Sequence, residues 1–197
     1  MNLQETFRRE IVSGLLEERG TLSLIKKWLQ LSQLTQSQLI RFGTLFENAV
    51  NCLAADSHKQ FTAVTTNGRK TYITPTAQIT HTSKGNKDID ILFIDEEKMI
   101  VYYRESKCNL NLDSEKSIAT VNKVKEVARR LQKAYAAYTI DAAILNMDWE
   151  NPKQEYLGVP VQYMGDLFDL LGYKTSQQEY RRIGKSIGEE VRYATHS

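Results

Sequence analysis

Carboxylates and a lysine are concentrated in residues 85–109, where their types and spacing could support chemistry. Asp88 and Asp90 lie at the start of one apolar, β-branched run. Glu105 and Lys107 end the next one. Carboxylates held close together without a cation are energetically unfavourable, because like charges repel and burial favours the neutral form. A divalent cation removes that conflict, and oxygen ligands suit Mg²⁺ or Mn²⁺ better than zinc. With a lysine to hold a phosphate or help to deprotonate water, the set is typical of metal-assisted phosphodiester hydrolysis.

Two apolar runs must position these side chains. They cover residues 89–94 and 99–107 and are separated by the charged turn 95–98, which is the pattern of a β-hairpin. A symmetric register around this turn would place Ile94 opposite Met99. We therefore expect the side chains at the open end of the hairpin to face one another in pairs.

The predicted register decides which charged groups share a face. It places Asp90 opposite Tyr103 and Asp88 opposite Glu105, and side chains alternate along a strand. Lys107 then joins the carboxylates on one face. The other face is predicted to carry Tyr102, Arg104 and Ser106. A slip of one residue would separate the cluster, and a solvated hairpin end with weak surface ion pairs is the alternative interpretation.

The order Asp90, a hydrophobic run and then Glu105-x-Lys107 resembles the motif of the PD-(D/E)XK nuclease superfamily. Ile89 stands where the motif's name has proline. The resemblance implies that Asp90 and Glu105 bind the metal, with the backbone carbonyl of Ser106 as a further ligand. It also implies that Lys107 lies beside the attacking water.

Two further segments extend the resemblance. ESKCNLNLDSEK is similar to segments of type II restriction endonucleases, and RFGTLFENAVN is similar to the helix that precedes the catalytic sheet in many such nucleases. Glu47 in that helix is implied as a possible metal neighbour, although an ordinary solvated helix charge is the alternative. Asp88 competes with Asp90 for the first ligand position, and Asp90 is preferred because it leads directly into the apolar run.

The order of elements predicts an α/β fold. Helices are expected at residues 3–19, 21 or 23 to 29, 36–55, 113 or 114 to 138, and 165–171. Strands are expected at 61–65, 70–74, 89–94, 99–107, 142–147 and 159–164, with Asn67-Gly68 as a hairpin turn. A helix between the third and fourth core strands indicates a parallel pair with a right-handed crossover.

This order agrees with the restriction-endonuclease-like αβββαβ core, a mixed central sheet flanked by helices. We expect one nuclease domain over 1–197, with a catalytic core at 36–172. The helical segments 1–34 and 173–197 are candidates for dimerisation or DNA contact.

Charge alone does not indicate a partner, because 26 Lys and Arg against 24 Asp and Glu leave a net charge of +2 in 197 residues. DNA binding must therefore depend on local groups of basic residues. Each such group, for example Lys123 with Lys125, could instead be a solvated helix face. The predicted DNA-contacting residues are Lys84, Lys87, Asn109, Asn111, Lys116, Arg181, Arg182 and Lys185.

The cellular location is expected to be the cytoplasm. Cys52 and Cys108 form no disulfide framework, which favours a reducing compartment. The N-terminal residues MNLQETFRRE lack the apolar core of a signal peptide, and no run approaches the length of a membrane span.

These observations lead to one functional hypothesis and three alternatives. The hypothesis is a magnesium-dependent type II restriction endonuclease of a restriction-modification system, which cuts duplex DNA at a short specific sequence and accepts Mn²⁺ in place of Mg²⁺. A homodimer or a heteromeric partner subunit would supply the second active site. The alternatives are a structure-specific repair nuclease or resolvase, a non-catalytic DNA-binding or assembly subunit, and a nucleotide-binding enzyme. The last ranks low because no glycine-rich phosphate loop follows a strand.

Overall fold

Alternation of apolar residues with periods of two and near four divides the chain into strands and helices. The computed structural model describes residues 2–16, 36–57, 62–66, 69–73, 89–147 and 152–196. Its helices are α1 (Leu3–Leu16), α2 (Gln36–Ala55), α3 (Ser114–Ala134), α4 (Met164–Leu170) and α5 (Gln177–His196). Its strands are β1 (Thr62–Thr66), β2 (Arg69–Ile73), β3 (Ile91–Asp95), β4 (Ile100–Lys107), β5 (Thr139–Asn146), β6 (Glu155–Tyr156) and β7 (Val159–Gln162). The predicted α/β class is confirmed.

The strands form a mixed sheet in the order β1-β2-β3-β4-β5-β7-β6. β1 and β2 form the predicted antiparallel hairpin, although Asn67 and Gly68 themselves lie outside the described residues. β3 pairs antiparallel with β4, and β4 pairs parallel with β5 across the helix α3, as expected for a crossover. β2 with β3 and β5 with β7 are also parallel. The short strand β6, antiparallel to β7, was not predicted.

The register of the β3–β4 hairpin differs from the predicted one by two residues. Ile94 lies opposite Val101 rather than Met99, and Asp95 opposite Ile100. The strand continues through Asp95, whose side chain accepts a hydrogen bond from the N–H of Lys98. Met99 has φ 53°, a left-handed conformation that does not continue a β-ladder, and the turn therefore moves one residue along the chain.

Because the register shifts by two residues, each side chain stays on the face of the hairpin that was predicted for it. Leu92, rather than Asp90, is opposite Tyr103. Continuing the ladder by one pair places Asp90 across from Glu105. The pairing of Asp88 with Glu105 was therefore wrong, because a turn centred one residue later moves every partner by two positions.

Helix α3 packs an apolar stripe on the sheet. Asp113 is the N-cap, at the predicted start of the helix, and its side chain accepts a hydrogen bond from the N–H of Lys116. The helix ends at Ala134, short of the predicted 138, where Tyr135 leaves the helical conformation. The buried cluster that joins helix and sheet contains Val121, Val124, Val127 and Leu131 from α3 with Leu92, Ile94, Val101, Tyr103 and Ile144 from the strands. This packing fixes the position of α3 over one face of β4.

The chain divides into two compact units. One contains residues 59–167, and with them the sheet and α3. The other contains residues 1–58 and 168–197, where Phe7 lies 5.8 Å from Phe46 and 6.0 Å from Phe168, measured between ring centroids. The helix predicted to end at residue 29 lies outside the described residues. No helix in the described part of the chain is long and apolar enough to cross a membrane.

Candidate active site

The three residues of the sequence motif meet at one end of the sheet. Asp90 directly precedes β3, and Glu105 and Lys107 lie in the last three positions of β4. β4 lies between β3 and β5, and its last three residues pair with β5 beyond the point where the ladder with β3 ends at Arg104. The local alternation predicted from the sequence therefore places Asp90, Glu105 and Lys107 on one face.

The backbone of Ser106 links the two sides of the site. Its N–H donates a 2.9 Å hydrogen bond to Asp90 Oδ2, and its carbonyl oxygen lies 3.2 Å from Lys107 Nζ. Lys107 Nζ also lies 2.6 Å from Glu105 Oε1. The predicted role of Ser106 used only its backbone carbonyl, and that carbonyl does lie among the charged groups.

A second lysine, Lys123 of α3, reaches the same carboxylates. Its Nζ lies 2.6 Å from Glu105 Oε2 and 3.3 Å from Asp90 Oδ1. In the sequence it belonged to a local basic group and was not proposed for the site. The available signal was its spacing, because Lys123 follows the buried Thr120 by three residues and precedes the buried Val127 by four. A lysine at the edge of a core-facing stripe can extend over the sheet.

The hydroxyl of Tyr103 completes the surroundings of Glu105. It donates a 3.0 Å hydrogen bond to Glu105 Oε2, and both side chains are buried. Lys107 therefore contacts one oxygen of Glu105, and Lys123 and Tyr103 contact the other. A buried carboxylate requires such partners to remain ionised.

The two carboxylates have opposite pKa shifts. Burial raises the pKa of Asp90, the Glu105 charge raises it further, and Lys123, Lys107 and the Ser106 N–H oppose this only in part. Burial alone would raise the pKa of Glu105, but Lys107 and Lys123 together outweigh burial and lower it. Burial disfavours the charged form of Lys123, yet the two carboxylates outweigh that effect and raise its pKa. Glu105 is thus the more firmly ionised acid.

The donor set fits a hard divalent cation. Asp90 and Glu105 offer carboxylate oxygens, and Ser106 offers a carbonyl oxygen. No group of three or more His, Cys, Asp or Glu side chains suited to a metal occurs among the described residues. Mg²⁺ is commonly held by one or two carboxylates, with waters and substrate phosphate completing its shell. Burial raises the pKa of the neighbouring Cys108 thiol, which disfavours thiolate ligation.

Three predicted DNA-contacting residues follow β4 in the same unit. Asn109 Oδ1 accepts a 2.7 Å hydrogen bond from the N–H of Asn111, and Asn111 is exposed. Lys116 is exposed and lies 2.8 Å from Asp113 in an ion pair at the start of α3. Lys84 and Lys87, together with the alternative ligand Asp88, lie outside the described residues.

The remaining candidates belong to the unit of residues 1–58 and 168–197. Glu47 is half-buried on α2. On α5, Arg181, Arg182 and Lys185 are exposed, and Lys185 lies 3.9 Å from Glu189. Their predicted roles in metal or DNA binding stay predictions.

Comparison with known proteins gave no relative. No protein-family model matches the chain. No curated protein and no solved structure matches it either. Its functional interpretation therefore depends on its own residues and on their geometry.

Proposed function

We propose that this chain is a magnesium-dependent DNA endonuclease that hydrolyses phosphodiester bonds in duplex DNA, with a restriction-endonuclease-like core. One observation carries the proposal. Asp90 and Glu105 lie on one sheet face within reach of a single ammonium, and Lys107 lies beside them at 2.6 Å from Glu105. A buried arrangement of acids and lysines is expensive to maintain, which makes it typical of functional sites.

The fold agrees with this proposal at a coarser level. In the order of elements, helix α2 is followed by β1, β2, β3, β4, α3 and β5. The residues of the motif lie at the open end of the β3–β4 hairpin. β5, the parallel partner of β4, follows the crossover helix. The same order supports the αβββαβ core, with four strands rather than three between α2 and α3.

Each residue has a distinct role in the proposed reaction. Asp90 and Glu105 hold the metal, and the carbonyl of Ser106 offers a further oxygen. When bound, Mg²⁺ supplies Lewis acidity that activates water and neutralises phosphate charge. Lys107 holds the attacking water or the scissile phosphate, because its ammonium is a mobile point charge with three donors. Tyr103 fixes the orientation of Glu105 through its hydroxyl.

Cleavage of DNA by the purified protein tests the proposal. Unmethylated phage DNA is incubated with the protein in magnesium and, in parallel, in chelator. We expect discrete magnesium-dependent fragments, whose mapped ends give the recognition site. Magnesium-dependent cutting of branched DNA but not of phage DNA would indicate a structure-specific nuclease instead. Intact DNA of both kinds with retained DNA binding would favour a non-catalytic module.

Lys107→Ala separates a nuclease from a binding protein. Removal of the ammonium is expected to lower the cleavage rate by about a hundredfold or more while DNA binding is kept. Lys98→Ala is the matched control, because Lys98 is an exposed lysine in the turn of the same hairpin, paired with Asp95 at 3.4 Å. Equal cleavage by wild type and Lys107→Ala would overturn the assignment of this site.

A further inference from the structure

We propose that Lys123 is the internal cation of this site: it pairs Asp90 with Glu105 in the metal-free protein and yields both to the divalent ion. This inference rests on the proposed function, because it concerns the same metal site. A helix residue outside the sequence motif would then directly control the affinity for the metal. The expected consequence is that Lys123 and the metal compete for the same oxygens.

The contacts identify which oxygens are shared. Asp90 Oδ2 accepts the N–H of Ser106, so Oδ1 is the oxygen directed at Lys123. Glu105 Oε1 is held by Lys107 at 2.6 Å, so Oε2 is the oxygen that Lys123 contacts at 2.6 Å. One ammonium thus bridges one oxygen from each acid. Glu105 Oε2 also accepts the Tyr103 hydroxyl, so a cation that binds this oxygen competes with Lys123 for its remaining acceptor position.

Charge balance supports the same conclusion. Two carboxylates are matched by two ammonium groups, Lys107 and Lys123, before any metal is present. Addition of a divalent ion with both lysines in place would leave the site with excess positive charge, which is unfavourable in a buried setting. Departure of one lysine removes one of the two excess positive charges. Lys123 is the better candidate, because Lys107 is held to the Ser106 carbonyl of its own strand.

The helix allows this departure without a change of fold. The buried residues Val121, Val124 and Val127 anchor α3 on either side of Lys123. The ammonium itself is carried on a four-carbon chain, and 21% of the side chain is exposed. Rotation of that chain can move the charge toward solvent or toward a DNA phosphate while the helix stays packed.

Metal binding without DNA provides the test. Mn²⁺ is titrated into the protein at constant pH and salt and followed by electron paramagnetic resonance, for wild type, Lys123→Met and Lys123→Arg. Removal of the competing charge in Lys123→Met is expected to tighten Mn²⁺ binding by about tenfold or more. Lys123→Arg keeps the charge and is expected to stay close to wild type. Unchanged or weaker Mn²⁺ binding by Lys123→Met would overturn the inference.

Lys125→Met is the matched control for a general change of charge. Lys125 is exposed on the same helix, two residues from Lys123. Its Mn²⁺ affinity is expected to change by no more than about twofold, because an exposed charge is screened by solvent and salt. A gain equal to that of Lys123→Met would count against direct competition.

Thermal unfolding gives an independent measurement. In chelator, Lys123→Met is expected to melt below wild type, because both carboxylates lose a partner. Saturating Mn²⁺ should raise its melting temperature more than that of wild type. If Lys123→Met does not fold in chelator, Lys123→Gln serves in its place as a neutral side chain that still donates hydrogen bonds.

Asp90→Asn distinguishes failure of this inference from failure of the proposed function. If Asp90→Asn abolishes Mn²⁺ binding and Lys123→Met leaves it unchanged, only the proposed role of Lys123 is ruled out. An absence of Mn²⁺ binding in wild type and in Lys123→Met alike would remove the metal site, and with it both proposals.

Discussion

The hydroxyl of Tyr103 donates a 3.0 Å hydrogen bond to Glu105 Oε2, and the two residues point to the same face of β4 because they are two positions apart. Both side chains are buried. Burial raises the pKa of Tyr103, and Glu105 adds to that shift, so the phenol remains a donor at all ordinary pH values. The pair shows that Glu105 is oriented from within its own strand.

Tyr103→Phe removes this donor and leaves the ring. We expect a loss of about 1 kcal/mol in the free energy of unfolding, because one buried hydrogen bond to a charged group is lost while Lys107 and Lys123 remain. Urea denaturation measures it. Tyr102→Phe is the control, since Tyr102 lies on the other face of β4 under the guanidinium of Arg104. An equal loss in both variants would contradict a specific role for the Tyr103 hydroxyl.

The opposite pKa shifts of Glu105 and Asp90 predict opposite effects on stability without metal. Folding lowers the pKa of Glu105, so its stabilisation is present above its ordinary pKa of 4.5 and is lost as pH falls through the lower folded value. Folding raises the pKa of Asp90. Its favourable contribution is therefore present below the ordinary value of 3.8 and is lost as pH rises through the higher folded value.

Near neutral pH, Glu105→Gln is thus expected to lower the free energy of unfolding by about 2 kcal/mol, because two lysines lose their buried partner. Asp90→Asn should leave it unchanged or raise it. Urea denaturation in chelator, repeated at neutral pH and at a pH below both ordinary values, measures the two effects. The difference between the variants should shrink in acid, and equal losses at neutral pH would contradict the assignment of the charges.

Asp90 and Asp88 are expected to differ in metal binding. Asp90 shares one ammonium with Glu105, so a cation can reach both carboxylates. We expect Asp90→Asn to abolish Mn²⁺ binding and magnesium-dependent cleavage, and Asp88→Asn to retain both. Titration with Mn²⁺ and a cleavage assay on the same preparations measure this. Complete losses in both variants would mean that both carboxylates participate.

Arg104 is expected to stabilise the sheet rather than the site. On the face opposite Glu105, its Nη1 lies 2.9 Å from the Tyr103 carbonyl and 2.6 Å from that of Asp141, and its Nη2 contacts Asp141 Oδ2 at 3.0 Å. Arg104→Met should cost about 3 kcal/mol in the free energy of unfolding, since a buried partner of two carbonyls and an acid is lost.

Asp141→Asn is the matched variant for Arg104. Its cost is expected to be smaller, about 1 kcal/mol or less, because the Asp141 side chain is partly exposed and its backbone carbonyl still accepts the guanidinium. Urea denaturation compares the two. Mn²⁺ affinity should be unchanged in whichever variant folds, and a large change would contradict the separation of the two faces.

The fold was predictable wherever it depends on neighbours in sequence. The Asp113 cap and the helix 36–55 follow from local patterns, as do the hairpin β1–β2 and the parallel pair β4–β5 around α3. The exact β3–β4 register was not predictable, because the left-handed conformation at Met99 and the continuation of β3 to Asp95 depend on the turn as a whole.

The sequence by itself determined that Asp90, Glu105 and Lys107 share a face, because alternation along a strand has a period of two and survives a register shift of two. Only the tertiary structure decided that Lys123 joins them. Its approach depends on how α3 crosses the sheet, which is set by packing of Val121, Val124 and Val127 against strands distant in sequence. The same packing contributes to the pKa shifts, since it buries both carboxylates and adds the Lys123 charge to that of Lys107.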